Sequence, residues 1–124
     1  MTKVLVVDDN SLGRMLVSGV LAAAKVPGLE ILQARDAVEA AIAIERHPID
    51  LLFTDMHMHE VSGLQLIQRL RKAGHNLPIV VVTMEESPEV LRKLLDAGAT
   101  MVISKRAPPS ELQKALELAG AKKG

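Results

Sequence analysis

The chain has 124 residues, 48% of them hydrophobic, enough for one domain with a substantial core. Fifteen Lys plus Arg balance 15 Asp plus Glu, so the net charge is zero and the broad basic field used to bind nucleic acid or anionic membranes is missing. The absence of cysteine excludes disulfides, thiolate metal sites and a Cys nucleophile, while the apolar runs, such as Gly19 to Val26, fall far short of the roughly 20 residues that span a bilayer. Met1-Thr2-Lys3 leads straight into Lys3 to Val7, a β-branched run that reads as a strand rather than a secretory leader, so a soluble cytoplasmic chain is expected. The strand stops at Asp8-Asp9-Asn10, and Ser11 is expected to cap a helix in which Met15, Leu16, Gly19, Val20 and Ala23 recur at helical spacing. Pro27-Gly28 ends it.

Leu29 to Ala34 is the second strand, and Asp36 caps a helix through about Arg46 that carries Val38, Ala41, Ile42 and Glu45. His47-Pro48 closes that helix. Leu51 to Phe53 is a buried strand ending at Thr54-Asp55. An irregular loop rich in His and Met then runs to Ser62-Gly63, before a helix through Lys72. Pro78 to Val82 is the most apolar strand. After Thr83, the loop Met84 to Ser87 leads into a helix with Val90, Leu91, Leu94 and Leu95 on one stripe, stopped by Gly98. Met101 to Ser104 is the last strand, Lys105 to Pro109 the last loop, and Ser110 to Ala119 the last helix.

Five strands alternating with five helices through short connections imply a doubly wound α/β domain, its parallel sheet covered on both faces. Ligands of such sheets sit beyond the carboxyl ends of the strands, beside the switch in strand order. The residues at those ends are Asp8 and Asp9, Asp55, Thr83 and Lys105. Clustered aspartates repel and call for a cation, and Mg²⁺, with its preference for hard oxygen donors, suits them. A carboxylate can also attack phosphorus, with metal and Lys offsetting charge on the equatorial oxygens. Asp55 stands alone and is the candidate nucleophile, Thr83 a donor to the phosphoryl group, Asp9 a direct metal ligand and Asp8 one acting through water. Aspartates after strands also cap helices, but capping explains neither Thr83 nor Lys105. His57 and His59 alone make a poor zinc site, and Met56, Met58 and Met84 read as packing.

The ordered set KVLVVDDN, LLFTDMHMHEVSG, IVVVT and DAGATMVISK resembles the response-regulator receiver family from Lys3 to about Ala119. The resemblance implies a flavodoxin-like (βα)5 fold of strand order 2-1-3-4-5. It places a receiver domain at residues 1–120, with 121–124 as a tail or linker remnant. It further implies a phosphoryl group moved from a sensor histidine kinase or phosphotransfer protein to Asp55, Mg²⁺ completed by the His57 backbone carbonyl, and no enzyme activity beyond the domain's own phosphorylation and dephosphorylation. A downstream protein target or fused effector domain would receive the signal, with no direct contact to nucleic acid or membrane.

Four positions depart from the family pattern. His59 replaces a usual Pro. Met84 replaces a small residue and is expected to narrow access for water or small phosphodonors, while His57 and Glu85 flank the position of the phosphoryl group and are expected to tune its lifetime. Val102 stands where an aromatic switch residue is common. Arg106 follows Lys105 in place of a Pro in a cis peptide, and a retained cis bond is slightly favoured despite its cost of about 3 to 4 kcal/mol. Two rivals stay open. A degenerate receiver would act only as a binding module, while a haloacid-dehalogenase-type phosphatase would need a second carboxylate at position 57.

Overall fold

The computed structural model describes residues 2–121. The expected tail at 121–124 therefore lies, apart from the backbone of its first residue, outside the described residues. Five strands, β1 (Thr2–Val7), β2 (Leu29–Ala34), β3 (Leu51–Asp55), β4 (Ile79–Thr83) and β5 (Met101–Ser104), form one parallel sheet of order β2-β1-β3-β4-β5. The helices are α1 (Ser11–Ala22), α2 (Ala37–Arg46), α3 (Gly63–Lys72), α4 (Pro88–Ala97), α5 (Pro109–Ala115) and a short α6 (Glu117–Ala121). The expected single last helix is thus divided. Backbone bonds of the i to i+3 kind, Leu116 N to Gln113 O and Ala119 N to Leu116 O, tighten the chain at the junction.

The near-continuous apolar strands follow from burial on both faces. Leu5, Val7, Leu52 and Val81 point to one side, where Ala40 of α2, Ile67 of α3 and Leu94 of α4 cover them. Val4, Val6, Phe53 and Val80 point to the other, under Leu21 of α1 and Ala115 of α5.

Two helix faces differ from the simplest reading of their spacing. On α1 the stripe Met15, Leu16, Gly19 and Ala23 is exposed, with Met15 at 64% and Leu16 at 61%, while Val17, Leu21 and Ala24 meet the sheet. On α2 Val38 and Ile42 are exposed, and Ala37 and Ala40 are buried. Apolar residues surround most of each helix, so periodicity alone does not choose the buried phase. The α1 cap is also one residue earlier than expected. Asn10 Oδ1 accepts from Leu12 N at 2.9 Å and Gly13 N at 3.1 Å, which leaves Ser11 as the first helical residue. Asp36 caps α2 as expected, and Ser62 with Gln65 forms a reciprocal capping box on α3.

Candidate functional site

Strand register brings the chemistry to one edge. Asp55 is the last residue of β3 and lies beside Val82; Thr83 ends β4 beside Ser104, so Lys105 follows immediately. Lys105 N donates to Thr83 O at 2.9 Å, and Lys105 Nζ lies 3.0 Å from Asp55 Oδ2. Asp8 continues β1 by donating its N–H to Ala34 O at 3.1 Å. Asp8, Asp9, Asp55 and Lys105 line one cavity of about 550 Å³, so all four reach the same space. Thr83 is fully buried behind them, its Oγ1 accepting from Glu85 N at 3.0 Å.

Burial raises the Asp8 carboxyl above the ordinary range; the Asn10 N–H opposes this, Asp55 adds to the rise, Lys105 opposes it, and Asp9 adds a smaller rise. A cation placed among the carboxylates relieves that repulsion. As they stand, no three metal-ligating groups among the described residues are gathered around one point. Mg²⁺ does not require three, since it takes one or two carboxylates and fills its octahedron with water and phosphate oxygens. The donor set of Asp9 and Asp55, with Asp8 behind, therefore fits it.

His57 is exposed, and its backbone N–H lies 3.4 Å from Asp55 Oδ1. His59 N donates to Asp9 Oδ2 at 2.9 Å, a bond that a Pro at this position has no hydrogen to make. Met84 is 47% exposed, and Glu85 Oε1 accepts from Ser87 N at 3.3 Å at the start of α4. Val102 packs against the core shared with α2 to α4. The described residues contain no cis peptide bond, which corrects the expectation at Lys105-Arg106. Instead a turn closed by Arg106 N to Ser104 Oγ at 3.0 Å and Ala107 N to Ser104 O at 3.0 Å carries Lys105 to Asp55, so the trans form costs no reach.

Sequence reasoning missed several supporting residues. Asn10 N donates to Asp8 Oδ1 at 3.0 Å, and Arg14 Nη1 donates to Asp8 O at 2.6 Å. A methyl group at Gly13 would overlap Asp8 Oδ2 and force that carboxylate to shift. Gly63 is required by space, since a side chain there would strike the Asp55 carbonyl oxygen. The available signal was a glycine at the start or inside of a helix with no turn to explain it.

The sheet order and the carboxylate, hydroxyl and ammonium groups at its carboxyl edge define a receiver-type α/β domain. The chain belongs to the response-regulator receiver family, since its residues 4–117 match the family described as response regulator receiver domain. That makes it a module of two-component signal transduction. It is 31% identical over 113 residues to the sensor histidine kinase RcsC of Salmonella typhi, covering 91% of this chain and 12% of that protein. It is 32% identical over 118 residues to the chemotaxis protein CheY homolog of Campylobacter jejuni, covering 93% of this chain and 89% of that one. The chain thus spans about an eighth of the RcsC relatives it matches. Among solved structures, Vibrio cholerae chemotaxis protein CheY4 superposes with a TM-score of 0.84 at 32% identity, over 94% of this chain and 97% of that one. The Francisella response regulator 1452 receiver domain shares the fold, with a TM-score of 0.85 at 23% identity over all of both chains. Among the described residues no helix is long and apolar enough to cross a membrane.

Proposed function

We propose that this domain accepts a phosphoryl group on Asp55 from a phosphohistidine of a sensor histidine kinase or phosphotransfer protein, in the cytoplasm, and passes the signal by protein contact. The observation that carries this reading is the 3.0 Å approach of Lys105 Nζ to Asp55 Oδ2 in a cavity shared with Asp8 and Asp9. An Asp55 oxygen attacks phosphorus, the bond from phosphorus to the donor nitrogen breaks, and that nitrogen keeps the electron pair. Lys105 and the Thr83 hydroxyl offset charge on the phosphoryl oxygens. Asp9, Asp55 and the His57 backbone carbonyl would hold Mg²⁺, with Asp8 acting through water, and the ion would supply positive charge to neutralise the phosphoryl oxygens. Residues 1–120 form the functional unit, which turns over only its own phosphoryl group.

Met84 and Glu85 restrict the hydrolytic water, so Met84→Ala and Glu85→Ala shorten the phosphoryl lifetime. With Val102 in place of an aromatic, the readout runs through the Thr83 loop to α4, β5 and α5. Incubation with Mg²⁺ and acetyl phosphate, followed by intact-protein mass analysis, yields one phosphoryl adduct in the wild type and none in Asp55→Asn. An adduct that survives in Asp55→Asn, or no adduct with a kinase donor either, sinks the reading. The second of these results would favour a phosphorylation-independent binding module, the alternative suggested by the four departures at His59, Met84, Val102 and Arg106. Position 57 carries no carboxylate, which disfavours a phosphatase acting on phosphate esters.

A further inference from the structure

The His59 imidazole stands beside the carboxylate site. Its Nε2 lies 3.8 Å from Oδ2 of Asp9, which shares the cavity with Asp8 and Asp55. The backbone holds the residue there from both sides. His59 N donates to the same Asp9 oxygen at 2.9 Å, and His59 O accepts from Val61 N at 2.7 Å across Glu60, whose φ of 65° lies in the left-handed region. The side chain itself is 95% exposed, so it can turn toward an ion near Asp9 without unpacking the fold. That turn is needed, since no three metal-ligating groups among the described residues are gathered around one point. The 3.8 Å gap is shorter than a zinc-nitrogen and a zinc-oxygen bond laid end to end, about 4 Å, so one ion can touch both groups. Asp9 keeps Oδ1 free of the His59 N bond, and Asp55 and water can fill further positions.

We infer that the His59 imidazole adds a nitrogen donor to the carboxylate site at Asp9, so that the site takes Zn²⁺, a divalent ion that accepts nitrogen donors, in competition with Mg²⁺. This rests on Asp9 and Asp55 forming the cation site of the receiver reading. Carboxylate and water suit Mg²⁺, whereas imidazole suits Zn²⁺, so a carboxylate site gains selectivity for zinc when an imidazole joins it. A Pro at position 59 has no such donor. His75 forms a pair of nearly the same length, 3.7 Å from Nε2 to Glu45 Oε1, but that pair lies outside the cavity and serves as the internal comparison.

The test is calorimetric titration of the whole chain with Zn²⁺ and, separately, with Mg²⁺, in the absence of any phosphodonor. The ratio of Zn²⁺ to Mg²⁺ affinity falls at least about tenfold in His59→Ala, the lower end of what losing even an outer-sphere metal partner costs. It is unchanged in His75→Ala. The ring nitrogen resonances of His59 shift on adding Zn²⁺ and stay in place on adding Mg²⁺, and Asp9→Asn weakens both ions. An affinity ratio unaltered in His59→Ala overturns the inference while leaving the Mg²⁺ site intact. Loss of Zn²⁺ affinity in His75→Ala overturns it too, by placing the ion at the Glu45 pair. Mg²⁺ affinity unaltered in Asp9→Asn removes the cation site of the receiver reading, and the inference with it.

Discussion

Lys105 Nζ lies 3.0 Å from Asp55 Oδ2, joining the end of β5 to the end of β3 across the intervening strand. The Asp55 side chain is nearly buried and the Lys105 side chain about one-third exposed, so solvent screens the pair only in part. Its value is positional, since the ammonium already stands where phosphoryl charge would develop. Lys105→Ala should slow Asp55 phosphorylation about 100-fold, the scale seen on removing one preorganised donor. It should also raise the Asp8 carboxyl further, since Lys105 holds that group down. Adduct kinetics and a carbon NMR titration of Asp8 read the two effects; an unchanged phosphorylation rate would remove Lys105 from the mechanism.

Asp8 makes stability depend on pH in an unusual direction for a carboxylate. Its folded-state pKa is raised, chiefly by burial and then by Asp55, so the folded chain binds this proton more tightly than the unfolded one. The contribution is fully present below the ordinary carboxylate pKa and is lost as pH rises through the raised value. In metal-free buffer, Asp8→Asn should stabilise the fold at neutral pH by about 1 kcal/mol, or about 4 °C in Tm. Asparagine keeps the oxygen that accepts from Asn10 N. Thermal melts across pH check this, and a destabilised variant at neutral pH would contradict it.

Two glycines of α1 should respond differently to alanine. A side chain at Gly19 meets nothing within 4 Å, so Gly19→Ala should gain about 1 kcal/mol of helix propensity. At Gly13 the added methyl displaces the Asp8 carboxylate, so Gly13→Ala should weaken Mg²⁺ binding whatever it does to helix propensity. Denaturation curves and calorimetric Mg²⁺ titration separate the two effects. Equal Mg²⁺ affinity in Gly13→Ala and wild type would mean that the Asp8 position does not matter to the ion.

His59 N donates to Asp9 Oδ2 at 2.9 Å, and a cation must compete with that charge-assisted bond. His59→Pro removes the donor and should tighten Mg²⁺ binding about tenfold, within the worth of a hydrogen bond to a charged group. His59→Ala retains the backbone N–H and serves as the control. Calorimetry showing the same affinity in both variants would argue against competition at Asp9.

The order of strands and helices, and the acidic, hydroxyl and ammonium residues at the strand ends, were legible in the sequence. Those signals are local: β-branched runs, caps, glycine stops, and the rule that a parallel sheet presents its chemistry at the carboxyl edge. The outward face of α1 was not legible, because Leu12, Met15 and Leu16 rival Val17 and Leu21 in apolarity, and only contact with the sheet selects between the stripes. Nor was the path by which Lys105 reaches Asp55. A trans turn on Ser104 achieves that reach between residues 50 apart in the chain. The fit of Gly13 against Asp8 and of His59 N against Asp9 likewise emerges only when separate segments share one space. Sequence alone thus determined which groups are available at the sheet edge. Tertiary structure decided their distances and open faces, because those depend on packing between elements that periodicity within any one element does not encode.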